Sequence, residues 1–338
     1  MSLPLRKTCA PAQSWATKPK SEKVARPSLP PSLLLRLGSI LSTFMTGLTF
    51  ELFCMQLLTG IALGSIYALL ALGLCLIFGM LNIVNFAHGA FFMVGAFLGV
   101  YFLGVTGNFW FSLLLTPLLT GCLGLVTERF LVRPLYGRGL DYPLLLTFGL
   151  SYVLIEVMRI TFGIEGLPSI TPDGLGGSIN VGIGYFPKYR LFLIGATALI
   201  ILGVWFLIQK TRYGLIIKAG AADQEIVKVL GVDIAKVWLL VFGLGCAIAG
   251  LSGILASPTR SVNPEMGIPI LAESFVVTVV GGMGSPVGAV VAGLLVGVVY
   301  SMTSLFFPDL AELSIFVLMA VVLLIRPQGL FGKAGAMG

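Results

Sequence analysis

FCMQLLTGIALGSIYALLALGLCLIFG, residues 53–79, runs for 27 residues without one charged side chain. A helix that crosses the hydrocarbon core of a bilayer needs about 20 apolar residues, so this stretch reads as a membrane span. The rest of the chain excludes a buried helix of a soluble domain. Of 338 residues, 57% are hydrophobic and 10% charged, and the mean hydropathy is +1.02. Soluble domains carry about 25% charged residues, so no water-exposed surface can be built here. The 43 glycines fit the same reading, because Gly lets transmembrane helices approach closely.

Outward from that span the pattern repeats. Further candidates fall at 85–105, 109–130, 143–162, 191–209, 237–256, 270–282, 286–306 and 312–325. The stretch 270–282 is short and runs into Gly281-Gly282-Met283-Gly284-Ser285-Pro286, which marks it as a candidate re-entrant or broken element. The expected fold is an all-α polytopic membrane protein with about eight or nine transmembrane segments over residues 51–333.

Residues 1–50 read as a separate basic extension. Residues 1–36 are Pro-rich and hold seven basic residues against Glu22, so six of the seven net positive charges sit there. Residues 33–50 are moderately apolar. They fit an extra crossing, an interfacial helix or a targeting segment behind a disordered tail, and Met45 or Met55 is an alternative start. The remaining charge is nearly balanced, which argues against a nucleic-acid partner. The five cysteines lack CxxC spacing and read as small buried hydrophobes.

Lys and Arg beside the spans set the orientation. Arg129, Arg133 and Arg138, then Lys210, Arg212, Lys218, Lys228 and Lys236, then Arg326 and Lys333 fall on one side if the segments alternate. That side is expected to be cytoplasmic. The opposite side carries a Gly/Pro-rich loop at 164–190, where Ile179 to Phe186 alternates as short strands do.

No nucleotide-binding glycine loop, HExxH or GxSxG pattern occurs, so no catalytic residue is assigned. His88 is the sole histidine, and dispersed acids cannot complete a metal site around it. No cofactor is expected either. Energy for active transport would then come from an ion gradient or from a separate ATPase. For an ion-coupled secondary carrier the candidates inside spans are Glu156, Glu273, His88 and Arg159. Glu156 and Arg159 are three apart and read as a pair. Glu273 lies near the start of its segment, where a carboxylate is expected to stay hydrated.

The internal loop at 210–236 points to an external motor. A short helix is expected from about 221 to 230, with Asp223 and Glu225 in its first turn and Gly231 at the position that needs positive φ. Ile226, Val227 and Leu230 form an apolar stripe that fits a groove on a partner, or packs on its own bundle. Asn82, Asn85 and His88 stand at the entry to an apolar helix, where they either line a solute path or brace helix contacts.

Four ordered blocks resemble one family. LTGIALGSIYALLALGLCLIFGMLNIVNFAHGAFFMVGAF (58–97), KAGAADQEIVKVLGVDIAKVWLLVFGLGCAIAGLSGIL (218–255), VVGGMGSPVGAVVAGLLVG (279–297) and IRPQGLFGK (325–333) are similar to LivH-type permeases of branched-chain amino-acid ABC transporters. The resemblance implies a bacterial inner-membrane permease that imports branched-chain or related hydrophobic amino acids by alternating access. It implies a LivM-like second permease, two cytoplasmic ATPase subunits and a periplasmic solute-binding protein as partners, within membrane lipid. Ala221, Ala222, Asp223 and Gly231 fall on the family's ATPase-coupling motif, and Asn85 and His88 on its NFAHG motif near the translocation path. Residues 1–50 have no counterpart in the family, and Val227 stands where a small residue is common.

Overall fold

The computed structural model describes residues 50–332 except 82, 140, 170 and 183, so the extension expected over residues 1–49 lies outside the described residues. Among these residues, eight helical segments are long and apolar enough to cross a membrane. They are α1 (Phe50–Leu81), α2 (His88–Thr106), α3 (Phe109–Thr127, a span that continues to Leu135), α4 (Asp141–Phe162), α5 (Lys188–Lys210), α8 (Ile234–Ala256), α10 (Pro286–Phe306) and α11 (Ala311–Ile325, which with the turn from Pro308 makes a span of 18 residues). Two short helices, α6 (Arg212–Ala222) and α7 (Gln224–Val229), stand between α5 and α8.

The ninth apolar helix, α9 (Gly267–Gly281), has 15 residues. At ~1.5 Å per residue it spans roughly 22 Å, short of the ~30 Å hydrocarbon core. It falls below the length of the eight spans. Its exit is built by glycine. Gly282 and Gly284 take φ of 99° and 84°, and the Ser285 hydroxyl then accepts the Gly288 amide at 3.2 Å to start α10. The tail closes the other half of this corner. The Leu330 amide donates to the Val280 carbonyl at 2.8 Å and the Phe331 amide to the Gly281 carbonyl at 3.0 Å. Helix-terminal carbonyls that would lie unpaired are satisfied by the C-terminal segment.

α1 is the centre of the bundle: 83% of its most apolar window is buried, against 17% for α4 and for α11. Small residues make that density possible. A Cβ added at Gly64 would stand 2.8 Å from the Gly293 carbonyl oxygen and from Leu294 Cα, so α1 and α10 touch backbone to backbone. α4, α5 and α11 turn Ile160, Leu199 and Leu324 outward, as lipid-facing helices do. On the loop before α5, β1 (Ser178–Asn180) and β2 (Tyr185–Pro187) pair antiparallel with Ile179 opposite Phe186.

Candidate functional site

After α1 ends at Leu81 the chain turns back into the bundle. His88 Nε2 lies 3.1 Å from the Leu70 carbonyl oxygen, eleven residues before that end. Eleven helical residues are ~16 Å of rise, which five or six extended residues can recover. The segment is held on the way. The Asn85 side-chain oxygen accepts the Ala87 amide at 3.1 Å, the Asn85 carbonyl accepts the His88 amide at 3.1 Å, and the Phe86 amide donates to the Thr147 hydroxyl of α4 at 3.2 Å. The His88 ring fills a space left by two glycines: a Cβ at Gly73 would meet its Cε1 at 3.1 Å and the Gly245 carbonyl of α8 at 3.0 Å. A carbonyl partner requires hydrogen on Nε2, which makes Nδ1 an acceptor in the neutral ring. Asn85 and His88 are fully enclosed, and Asn85 Nδ2 and His88 Nδ1 lack a hydrogen-bond partner among the described residues.

The coupling residues expected from sequence stand at the same end of α1 as the basic loops. One helix was expected over 221–230, but the structure breaks it at Asp223, whose φ of −155° and ψ of 109° are extended. The cause is local capping. Asp223 Oδ1 accepts the Ile226 amide at 3.1 Å, a bond that a continuous helix would not allow. α6 therefore ends at Ala222, with Ala221 exposed in its last turn, while Gly231 follows α7 with φ of 80°. α7 is tethered inward: Gln224 Nε2 donates to the Met80 carbonyl at 3.0 Å, and Val227 is buried. Ile226, Val229 and Leu230 point out, with Val229 87% exposed. The expected stripe thus divides, with Val227 inward and Ile226 and Leu230 outward. Asp233 caps α8, accepting the Ala235 amide at 3.1 Å, and its hydrogen bond to Lys236 leads the effects that hold its carboxyl below the usual value.

A cavity of about 370 Å³ joins these two regions. Gln224 of α7 and Trp238 of α8 line it on one side, Leu81 and Ile83 at the turn after α1, and Tyr136 before α4 with Pro143 in the first turn of α4.

The family model described as branched-chain amino acid transport system / permease component matches residues 56–325. The chain belongs to that family. The permease is 29% identical over 294 residues to the high-affinity branched-chain amino acid transport system permease protein BraD of Pseudomonas aeruginosa, covering 82% of this chain and 95% of that one. It is 28% identical over 302 residues to LivH of Escherichia coli, with 84% and 97% covered. Against LivM of Escherichia coli the identity is 27% over 294 residues, covering 78% of this chain and 67% of that one.

Two charge clusters in the permease escaped the sequence reading. At the basic end, Arg133 holds both oxygens of the fully buried Glu128, at 3.2 Å through Nε and 2.9 Å through Nη2, and also donates to the Ala235 carbonyl at 2.9 Å. Tyr136 donates to the same carboxylate at 3.1 Å. Burial, and then the Glu128 charge, push its hydroxyl above the usual value. Glu128 sits where α3 loosens into a π turn over Glu128–Val132. The second cluster corrects the reading of Glu273 as hydrated. Its side chain is 12% exposed, because Arg260 packs on it with Nη2 at 3.3 Å from Oε2 and 3.1 Å from the Tyr67 hydroxyl of α1. Glu156 and Arg159 pair at 2.8 Å, as their spacing predicts, and Arg159 also reaches Glu265 at 3.4 Å. No group of three metal-ligating side chains occurs among the described residues.

Proposed function

We propose that this chain is the permease subunit of an ATP-driven importer in a bacterial inner membrane, moving branched-chain or related hydrophobic amino acids by alternating access. One observation carries the reading: α7 offers Ile226, Val229 and Leu230 outward while Gln224 is bonded to the end of the central helix. Exposed apolar side chains on a short helix at the basic, cytoplasmic end suit a groove on a partner ATPase. The inward bond gives that partner a handle on α1. Closure of two ATPase subunits would press on α6 and α7, and the push would pass through Gln224 to Met80 and along the chain to Ile83. There the chain turns toward Asn85 and His88; the Phe86 amide between them bonds α4, and the His88 ring at the start of α2 meets α1 and α8. Ala221, Ala222, Asp223 and Gly231 shape the handle. A LivM-like second permease completes the pathway and a periplasmic solute-binding protein delivers the amino acid.

The test is reconstitution of this chain with a LivM-type permease, two ATPase subunits and a binding protein in liposomes. ATP-dependent leucine uptake and leucine-stimulated hydrolysis are expected. Uptake that persists without ATP and collapses with a protonophore would refute the reading.

A further inference from the structure

Arg260, Glu273 and Tyr67 come from three separate parts of the chain and meet inside the helix bundle, where the segment after α8 folds back onto α1 and α9. Tyr67 is 17 residues from the start of the 32-residue α1 and 14 from its end. At ~1.5 Å per residue that is roughly 25 Å and 21 Å. Glu273 lies six residues inside α9. Ionised side chains enclosed among membrane helices are costly and mark solute pathways or relays.

The hydrogen bonding is incomplete in a telling way. In the Glu128 cluster Arg133 spends Nε and Nη2 on the carboxylate and reaches a backbone carbonyl besides, as a structural arginine does. Arg260 bonds Glu273 and Tyr67 through the single nitrogen Nη2. Its Nε and Nη1 donors have no hydrogen-bond partner among the described residues, and its side chain remains 27% exposed. The guanidinium also lies over the Tyr67 ring, 5.8 Å from its centroid. A guanidinium with unused donors beside a carboxylate is the complement of a zwitterion. The free donors suit a carboxylate and the Glu273 side chain suits an ammonium. Tyr300 and the exposed Glu312 are the other groups in electrostatic range of Glu273.

We propose that Arg260, Glu273 and Tyr67 form a binding point for the head group of an α-amino acid: Arg260 takes its carboxylate, Glu273 its ammonium, and Tyr67 holds the guanidinium in place. The site rests on the amino-acid import proposed above and deepens it. Leu70, whose carbonyl holds His88, lies one turn from Tyr67, so occupancy sits next to the element that the coupling segment moves.

The test uses the complete transporter in nanodiscs without its binding protein, with labelled leucine as probe. Competitors are unlabelled leucine, 3-methylbutylamine, which lacks the carboxylate, and 4-methylpentanoate, which lacks the ammonium. Leucine should compete about 10- to 100-fold better than either, the range for one charge-assisted hydrogen-bonding group. Arg260→Gln should erase the preference over the amine and keep that over the acid, and Glu273→Gln should do the reverse. Variants that bind less leucine with both preferences unchanged would overturn the site. So would a wild-type complex that takes up leucine with ATP yet binds all three compounds alike, an outcome independent of whether any variant folds. Absence of ATP-driven leucine uptake by the wild type strikes instead at the function on which the site rests.

Discussion

Gly231 offers a perturbation whose energy is almost purely conformational. Its φ is 80°, and a Cβ placed there would meet no heavy atom within 4 Å. Replacement therefore adds no clash. It only charges the turn after α7 for a left-handed backbone, ~1–2 kcal/mol for an ordinary L-residue and more for a β-branched one. Asn tolerates this region because its short polar side chain bonds locally. A cost of ~1–2 kcal/mol shifts a local equilibrium by roughly 5- to 30-fold, enough to depopulate the set of the turn without unfolding the bundle. Gly231→Val is expected to leave assembly intact and to lower leucine transported per ATP hydrolysed by roughly that factor. Gly231→Asn should stay near the wild type. Hydrolysis and uptake are measured in the same proteoliposomes. Equal transport by all three proteins would refute the assignment of the turn as a coupling element, and equal loss in Asn and Val would refute the conformational argument.

Other substitutions separate packing from docking. Glu128→Ala removes the acceptor shared by Arg133 and Tyr136 and leaves a half-buried cation unpaired, at a cost of about 3–5 kcal/mol; a detergent melting temperature equal to the wild type would contradict it. Gly64→Leu pushes atoms into the Gly293 and Leu294 backbone, so folded yield should fall sharply, and a normal yield would show that α1 and α10 do not touch there. The pair Ile226→Ser and Leu230→Ser changes exposed side chains and should leave the melting temperature unmoved. The ATPase subunits should nonetheless cease to co-purify, and undiminished co-purification would place the docking surface elsewhere.

Span positions were readable because lipid imposes one rule on every helix. The stretch expected at 286–306 is α10, Pro286–Phe306, and its start follows from Ser285 as cap and Pro286 at the first position. The short seventh stretch was recognised by its length and its glycines. The loop at 210–236 was harder. Composition placed a helix near 221–230, yet a single carboxylate chose between one helix and two, and side-chain capping at Asp223 is invisible to periodicity. Tyr67 and Arg260 stand 193 positions apart, so their meeting is a product of tertiary packing. The available signal was weak: an arginine in a short loop and a glutamate within an apolar helix. The four quoted blocks also hid a relation. The Gly-rich block and the C-terminal signature are separate in sequence but form one corner through the bonds from Leu330 and Phe331 to α9.

That corner also sets an order of events during synthesis. The carbonyls of Val280 and Gly281 receive their donors from residues that follow α10 and α11 in the chain, so the corner cannot close until both helices have been made. Until then the short helix has an unfinished end in or near hydrocarbon, where open carbonyls are poorly tolerated. A segment made after α11 thus acts as a fastener for a helix made much earlier. A chain halted after α11 would have all its spans in place and still lack the step that locks them.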